Sequence, residues 1–214
     1  MYFKLFSLFS FFVSIANLSA LDLTSLPDPY RNVSLMPFNP HGWYQNADEV
    51  EYLIKKHSVK TIIEVGSWLG ASTRHMGSLL PEEDGILFAV DTWLGSPNED
   101  GDLKVLETLY DQFLSNVIHV NLCHKIIPIR MDSLKAADKM TTIADFIYID
   151  ATHLYDECLA DCRAWYPHVK EGGIFCGDDW DWGTGGVEKA VRQFCKENDL
   201  EVRTNGLFWY IIKP

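Results

Sequence analysis

The chain has 214 residues, 47% of them hydrophobic, with 18 Lys and Arg against 30 Asp and Glu and a net charge of -12. That apolar content excludes a disordered chain, and the acid excess excludes a nucleic-acid backbone as partner, because little here would neutralise phosphates. No internal repeat or low-complexity tract interrupts a length that suits one α/β domain behind a short leader.

The leader reads MYFKLFSLFSFFVSIANLSA, with Lys4 ahead of an apolar run from Leu5 to Ile15 and the small residues Ser19 and Ala20 after it. This order fits a secretory signal peptide over residues 1–20; the competing reading is an uncleaved hydrophobic anchor. Residues 21–45, rich in Pro and Asn, read as an N-terminal arm lying on the domain, and 46–214 as the domain itself. Within the arm, Asn32-Val33-Ser34 is a glycosylation acceptor sequence, usable only in a eukaryotic secretory route.

Asn46 is placed to cap a helix that puts Val50, Leu53, Ile54 and His57 on one face. TIIEV (61–65) is a continuous β-branched run, the pattern of a strand buried on both faces. A turn at Gly66–Gly70 leads into a helix from Ser72, and ILFAV (86–90) is a second buried strand. Residues 102–117 carry the helical stripe Leu103, Leu106, Leu109, Tyr110, Phe113, Leu114 and Val117. IIPIR (126–130) is a third strand whose Pro128 favours a sheet edge.

FIYI (146–149) is the fourth strand, followed by a helix with Leu154, Cys158, Leu159, Cys162 and Trp165 on one side. GIFCG (173–177) is the fifth, followed by a helix marked by Val187, Ala190, Val191, Phe194 and Cys195. The chain closes with LEVRT and LFWYIIK around Asn205-Gly206, a hairpin signal. The predicted fold is α/β: a doubly wound, mostly parallel seven-stranded sheet with a C-terminal antiparallel hairpin, Rossmann-like in layout. Five cysteines without CxxC or zinc spacing (Cys123, Cys158, Cys162, Cys176, Cys195) read as structural thiols, Cys123 being the one a loop could expose.

Ligands of such sheets bind beyond the carboxyl ends of the strands. Strand one ends in EVGSWLGAS, where Glu64, Gly66, Ser67 and Gly70 form a turn that lets a ligand approach the backbone. Strand two ends in Asp91, Thr92 and Trp93; Asp91, 25 residues after Gly66, is placed to accept ribose hydroxyls. Strand three ends in Asp132 and Ser133, suited to an adenine edge and equally to capping the next helix. The turn lacks GxGxxG, so a nucleoside without phosphates fits better than a dinucleotide, and S-adenosylmethionine is the common one.

Strand four ends in Asp150 and His153, strand five in Asp178 and Asp179. If those strands are neighbours, three carboxylates (Asp150, Asp178, Asp179) converge as hard oxygen ligands for Mg2+ or another hard divalent cation. His153 can take a proton near neutral pH, while Trp93, Trp180 and Trp182 can stack on a ring. His41, His57, His75, His119, His124 and His168 show no ligand spacing and read as structural or surface groups, with His41–Tyr44 a candidate cover for the cofactor.

The stretches EVGSWLGAST, VDTWLGS, YDQFLSNV, YIDATHLY and GGIFCGDDW occur in that order. With them the chain, over about residues 38–213, resembles the class I S-adenosylmethionine-dependent methyltransferases of the macrocin O-methyltransferase type, which include metal-dependent sugar O-methyltransferases. The resemblance implies a divalent ion on Asp150, Asp178 and Asp179, His153 as base with Asp150 beside it in catalysis, cofactor contacts at the glycine turn and Asp91, and a small-molecule acceptor such as a sugar or catechol-like hydroxyl. Two rival readings are a non-catalytic S-adenosylmethionine-binding module and a metal-dependent enzyme of other chemistry on the same fold. The leader points to export or to membrane association through residues 1–20, whereas the cofactor points to the cytoplasmic side; a homo-oligomer is compatible with everything above.

Overall fold

A computed structural model describes residues 22–95 and 103–214, the side chains of 103–106 excepted. The leader at 1–20, Ser96 of the VDTWLGS stretch and the side chains of Leu103 and Leu106 lie outside the described residues. Among the described residues no helix is long and apolar enough to cross a membrane.

Seven strands form one sheet: β1 (Thr61–Val65), β2 (Ile86–Asp91), β3 (Ile126–Arg130), β4 (Ala144–Ile149), β5 (Val169–Gly177), β6 (Arg203–Asn205) and β7 (Phe208–Ile212), in the order β3-β2-β1-β4-β5-β7-β6. The first five run parallel, and β7 lies antiparallel to both β5 and β6. This is the expected doubly wound sheet with its terminal hairpin, and β3, with Pro128, is an edge strand. Beside β1 the chain reverses its direction of travel across the sheet. The crevice between the ends of β1 and β4 is therefore the place where such folds bind ligands.

Among the described residues six helices cover the sheet: α1 (Ala47–Lys56), α2 (Ala71–Leu79), α3 (Leu103–His119), α4 (Ser133–Lys139), α5 (Tyr155–Trp165) and α6 (Gly186–Asn198). Alternation along the strands sorts side chains into two cores. Ile62, Leu87, Ala89, Phe146, Tyr148, Ile174 and Cys176 pack with α1, α2 and α3. Ile63, Val65, Val90, Ile147, Ile149 and Phe175 pack with α4, α5 and α6. Parallel strands buried on both faces need this continuous apolar sequence.

Local expectations differ from the structure at three places. Asn46 makes no capping bond, because its side chain is buried and faces Tyr148 and Asp178. Cys123 is buried like the other four thiols, and Leu154 is exposed just ahead of α5.

Two polar devices fix the turn after β1. Glu64 shares the strand face of Ile62 and is 0% exposed; it accepts from Ser67 Oγ at 2.6 Å, Ser72 Oγ at 2.5 Å and Thr73 Oγ1. Burial is the larger influence and pushes its carboxyl up to about 7, against the three hydroxyls, which favour the charged form. The second device is Asn116 on α3, 0% exposed, whose Nδ2 donates to Asn39 O at 2.9 Å and Leu69 O at 2.8 Å. Its Oδ1 accepts from Asn39 N at 2.9 Å and Gln112 Nε2 at 3.1 Å. Around it Gln112 donates to Pro37 O, Ser115 Oγ accepts from Met36 N, and His119 meets Met36 O. One polar face of α3 thus straps the arm to the domain, and Tyr30 adds a buried bond to Ile126 O.

Replacing Asn116 by Ala strands several buried partners at once, each costing about 1–3 kcal/mol. Asn116→Ala is expected to lose at least ~2 kcal/mol in urea unfolding and to render the arm sensitive to protease. For Glu64, a folded-state carboxyl raised from 4.5 to about 7 contributes stability at low pH that is lost as pH rises through that interval. The stability of the wild type relative to Glu64→Gln is therefore expected to fall between pH 4.5 and 7, by up to roughly 3 kcal/mol, measured by denaturant titration at both ends of the range.

Candidate active site

The parallel strands deliver their carboxyl ends to one edge of the sheet, so the acids and glycines after β1, β2, β4 and β5 become neighbours. Gly66 has a φ of 90°, and a Cβ there would come within 2.1 Å of Asp150 O, so only glycine lets the turn after β1 pass the end of β4. The contact is sealed by Asp150 N donating to Val65 O at 2.8 Å.

On the β1/β2 side, Asp91 accepts from Ser67 N and Trp68 N, both at 2.9 Å, and from Trp93 N at 2.7 Å. Those amides occupy three of about four acceptor positions of a carboxylate. Half-buried Asp91 thus ties the turn to β2 and keeps capacity for one more donor. Trp68 lies in the same turn with a left-handed φ of 47°, and its buried Nε1 finds no partner among the described residues. Exposed Trp43 of the arm faces Trp68, with ring centroids 5.8 Å apart, and Tyr44 Oη bonds His75 Nδ1 at 2.9 Å.

Two of the residues expected to touch a cofactor, Glu64 and Trp93, are sealed by packing. Glu64 has its oxygens taken up by hydroxyls of the turn and α2, so it shapes the turn after β1 from behind. Trp93 is 1% exposed and packs on Tyr110 and Phe113, its Nε1 donating to Trp68 O; it is core, not a stacking surface. Thr92 Oγ1 accepts from Leu94 N at 3.3 Å. Asp132 caps α4 by accepting from Lys135 N at 3.1 Å, and Ser133 Oγ is engaged by buried Asp161 and by Trp165 Nε1. Burial raises the Asp161 carboxyl to about 6. Gly66, Ser67 and Gly70 form the turn as expected, and Gly70 takes a left-handed φ of 79° at the start of α2.

On the β4/β5 side the expected carboxylate trio is regrouped. Asp150, His153 and Asp179 each offer a ligand atom within 4.8 Å of the others, all three half-buried. His153 Nε2 lies 2.8 Å from Asp179 Oδ2, and the Trp182 ring lies against the imidazole at 4.6 Å between centroids. Asp178, 5% exposed, points elsewhere: Oδ1 accepts from Asp179 N at 2.7 Å and Oδ2 faces Tyr148 Oη at 3.5 Å. Burial holds its carboxyl above the usual range. Asp179, the next residue, adopts a left-handed φ of 60°. Trp180 is buried under the Arg192 guanidinium, so Trp182 is the exposed one of the pair. Two carboxylates and an imidazole at this spacing fit a divalent cation.

Sequence reasoning missed Asn116 and Gln112, and it read Asn46 as a helix cap rather than as a partner of Tyr148 and Asp178. Gln112, Ser115, Asn116 and His119 left a readable signal, a polar stripe at helical spacing along α3.

Comparison with known proteins adds the following. No curated protein matches the chain. Among solved structures, a Staphylococcus aureus protein provisionally named a caffeoyl-CoA O-methyltransferase superposes with a TM-score of 0.63 at 18% identity, covering 82% of this chain and 86% of that one. An O-methyltransferase from Bacillus cereus in complex with SAH gives 0.60 at 17% identity, over 82% and 84% of the two chains. An O-methyltransferase of tomaymycin synthesis from Streptomyces achromogenes, in complex with SAM, gives 0.60 at 14%, over 81% and 82%. These likenesses concern the fold. A methyltransferase domain model matches residues 63–180, from β1 through the acids after β5 and more than half of the chain. With the glycine turn, the switch point and the acids all inside that match, the chain belongs to the methyltransferase domain family.

Proposed function

We propose that the protein is an S-adenosylmethionine-dependent O-methyltransferase of the macrocin type, acting on a hydroxyl of a small molecule such as a sugar or catechol with the help of a divalent cation. One observation carries this reading: the nucleoside-suited turn at Gly66–Gly70 and the Asp150–His153–Asp179 group meet across the ends of the adjacent strands β1 and β4. A cofactor and an acceptor held at those two places would be in contact.

Methyl transfer from a sulfonium is an in-line displacement, so the protein chiefly positions and desolvates the partners. The turn and Asp91 would hold the nucleoside, with the orphan Trp68 Nε1 as a further donor. A divalent cation, when bound, supplies a lowered pKa to a coordinated hydroxyl. Asp150 and Asp179 attract that cation, and Asp150 and His153 are the residues proposed to face the reacting hydroxyl. Exposed Trp182 offers a flat face beside them for an acceptor ring.

Calorimetric titration of S-adenosylhomocysteine into the protein is expected to show one site, weakened at least ~10-fold in Asp91→Ala, the loss of a charge-assisted bond. Absence of binding by folded wild type would remove the cofactor and with it the methyltransferase reading. Asp150→Ala is expected to keep that binding within about threefold but to lower methyl transfer to sugar and catechol acceptors at least ~100-fold, of the order that general acid–base groups contribute. Transfer is followed with a methyl-labelled cofactor.

A further inference from the structure

Resting on the metal-assisted reading above, we propose that His153 is itself a cation ligand in the place expected for Asp178, and that this centre selects a first-row transition ion over Mg2+. The imidazole Nε2 is 2.8 Å from Asp179 Oδ2, and both lie with an Asp150 oxygen inside one 4.8 Å group. Asp178 lies outside that group, its oxygens facing Asp179 N and Tyr148 Oη.

The Nε2 and Oδ2 atoms are close enough for one ion to be held by both, with the Asp150 oxygen as a third donor.

The surroundings hold the ring where a ligand is needed. Trp182 lies against it, and a Cβ on Gly186 would come within 2.2 Å of His153 O, so the start of α6 pins the backbone from which the ring projects.

The donor set decides the metal. Mg2+ takes oxygen ligands in near-ideal octahedra and keeps several waters. Imidazole suits zinc, iron, nickel and copper, while carboxylates serve both classes of ion. Two aspartates and one histidine therefore discriminate through the histidine, and three aspartates would not.

Co2+ is the probe, because its visible absorption reports the donor set directly. Chelator-treated full-length protein is titrated with cobalt(II) chloride and, separately, with magnesium chloride. The wild type is expected to bind Co2+ at one site at least ~10-fold more tightly than Mg2+. His153→Ala, a change at a half-exposed side chain, is expected to weaken Co2+ at least ~10-fold, to shift its visible spectrum, and to move Mg2+ less than about threefold. Asp178→Asn is expected to move Co2+ less than about threefold.

Unchanged Co2+ affinity in His153→Ala overturns the proposal, as does an equal loss in Asp178→Asn or a wild type that binds neither ion. Thermal unfolding of each metal-free variant checks that it is folded. S-adenosylhomocysteine titrated into the same preparations reads the cofactor site separately. A chain that binds it but not Co2+ sinks this inference and leaves the methyltransferase reading standing.

Discussion

The sealed carboxylate of Glu64 is the constraint on which the rest of the site depends. A charge without solvent is costly unless its hydrogen-bonding capacity is filled, and here two serines and a threonine fill it. Those hydroxyls come from the turn at Ser67 and the first turn of α2, so satisfying Glu64 fixes how the chain leaves β1. Once that exit is fixed, Ser67 N and Trp68 N point at Asp91 and draw β2 into the same frame. The cofactor-side geometry is thus set by buried polar bonds rather than by apolar packing, which is less directional.

The turn is also held from outside. Asn116 ties Leu69 O to the arm through Asn39, and Arg74 reaches the same carbonyl. Arm, α3 and the turn after β1 therefore behave as one polar unit, and Trp43 and Tyr44 are delivered to the rim of the crevice by it. The arm is part of the site's construction although it belongs to no strand or long helix.

Across the crevice the design is electrostatic. Asp150 and Asp179 gather beside His153, with Asp178 next to Asp179 in sequence, in a chain already carrying a net charge of -12. Tyr148 and Asn46 face Asp178, and His153 faces Asp179. Burial raises the Asp178 carboxyl, whereas the half-exposed pair Asp150 and Asp179 stands where a cation can reach it. Neighbouring acids in sequence thereby take different tasks.

Much of this was legible in the sequence, for physical reasons. Continuous β-branched runs such as TIIEV have one stable use, a strand covered on both faces. Their alternation with amphipathic helices determines a parallel sheet, and that sheet determines the edge at which Gly66, Asp91, Asp150 and Asp179 collect. What the sequence could not determine is where individual side chains point. Glu64 and Trp93 look like cofactor contacts by position and are sealed by packing; Asp178 looks like a twin of Asp179 and is buried against Tyr148 and Asn46. Strand pairing depends on patterns that many residues share, so the sequence alone carries it. Side-chain direction depends on single backbone angles and on partners far along the chain, such as Asn116 against Leu69, and only the tertiary structure decides it.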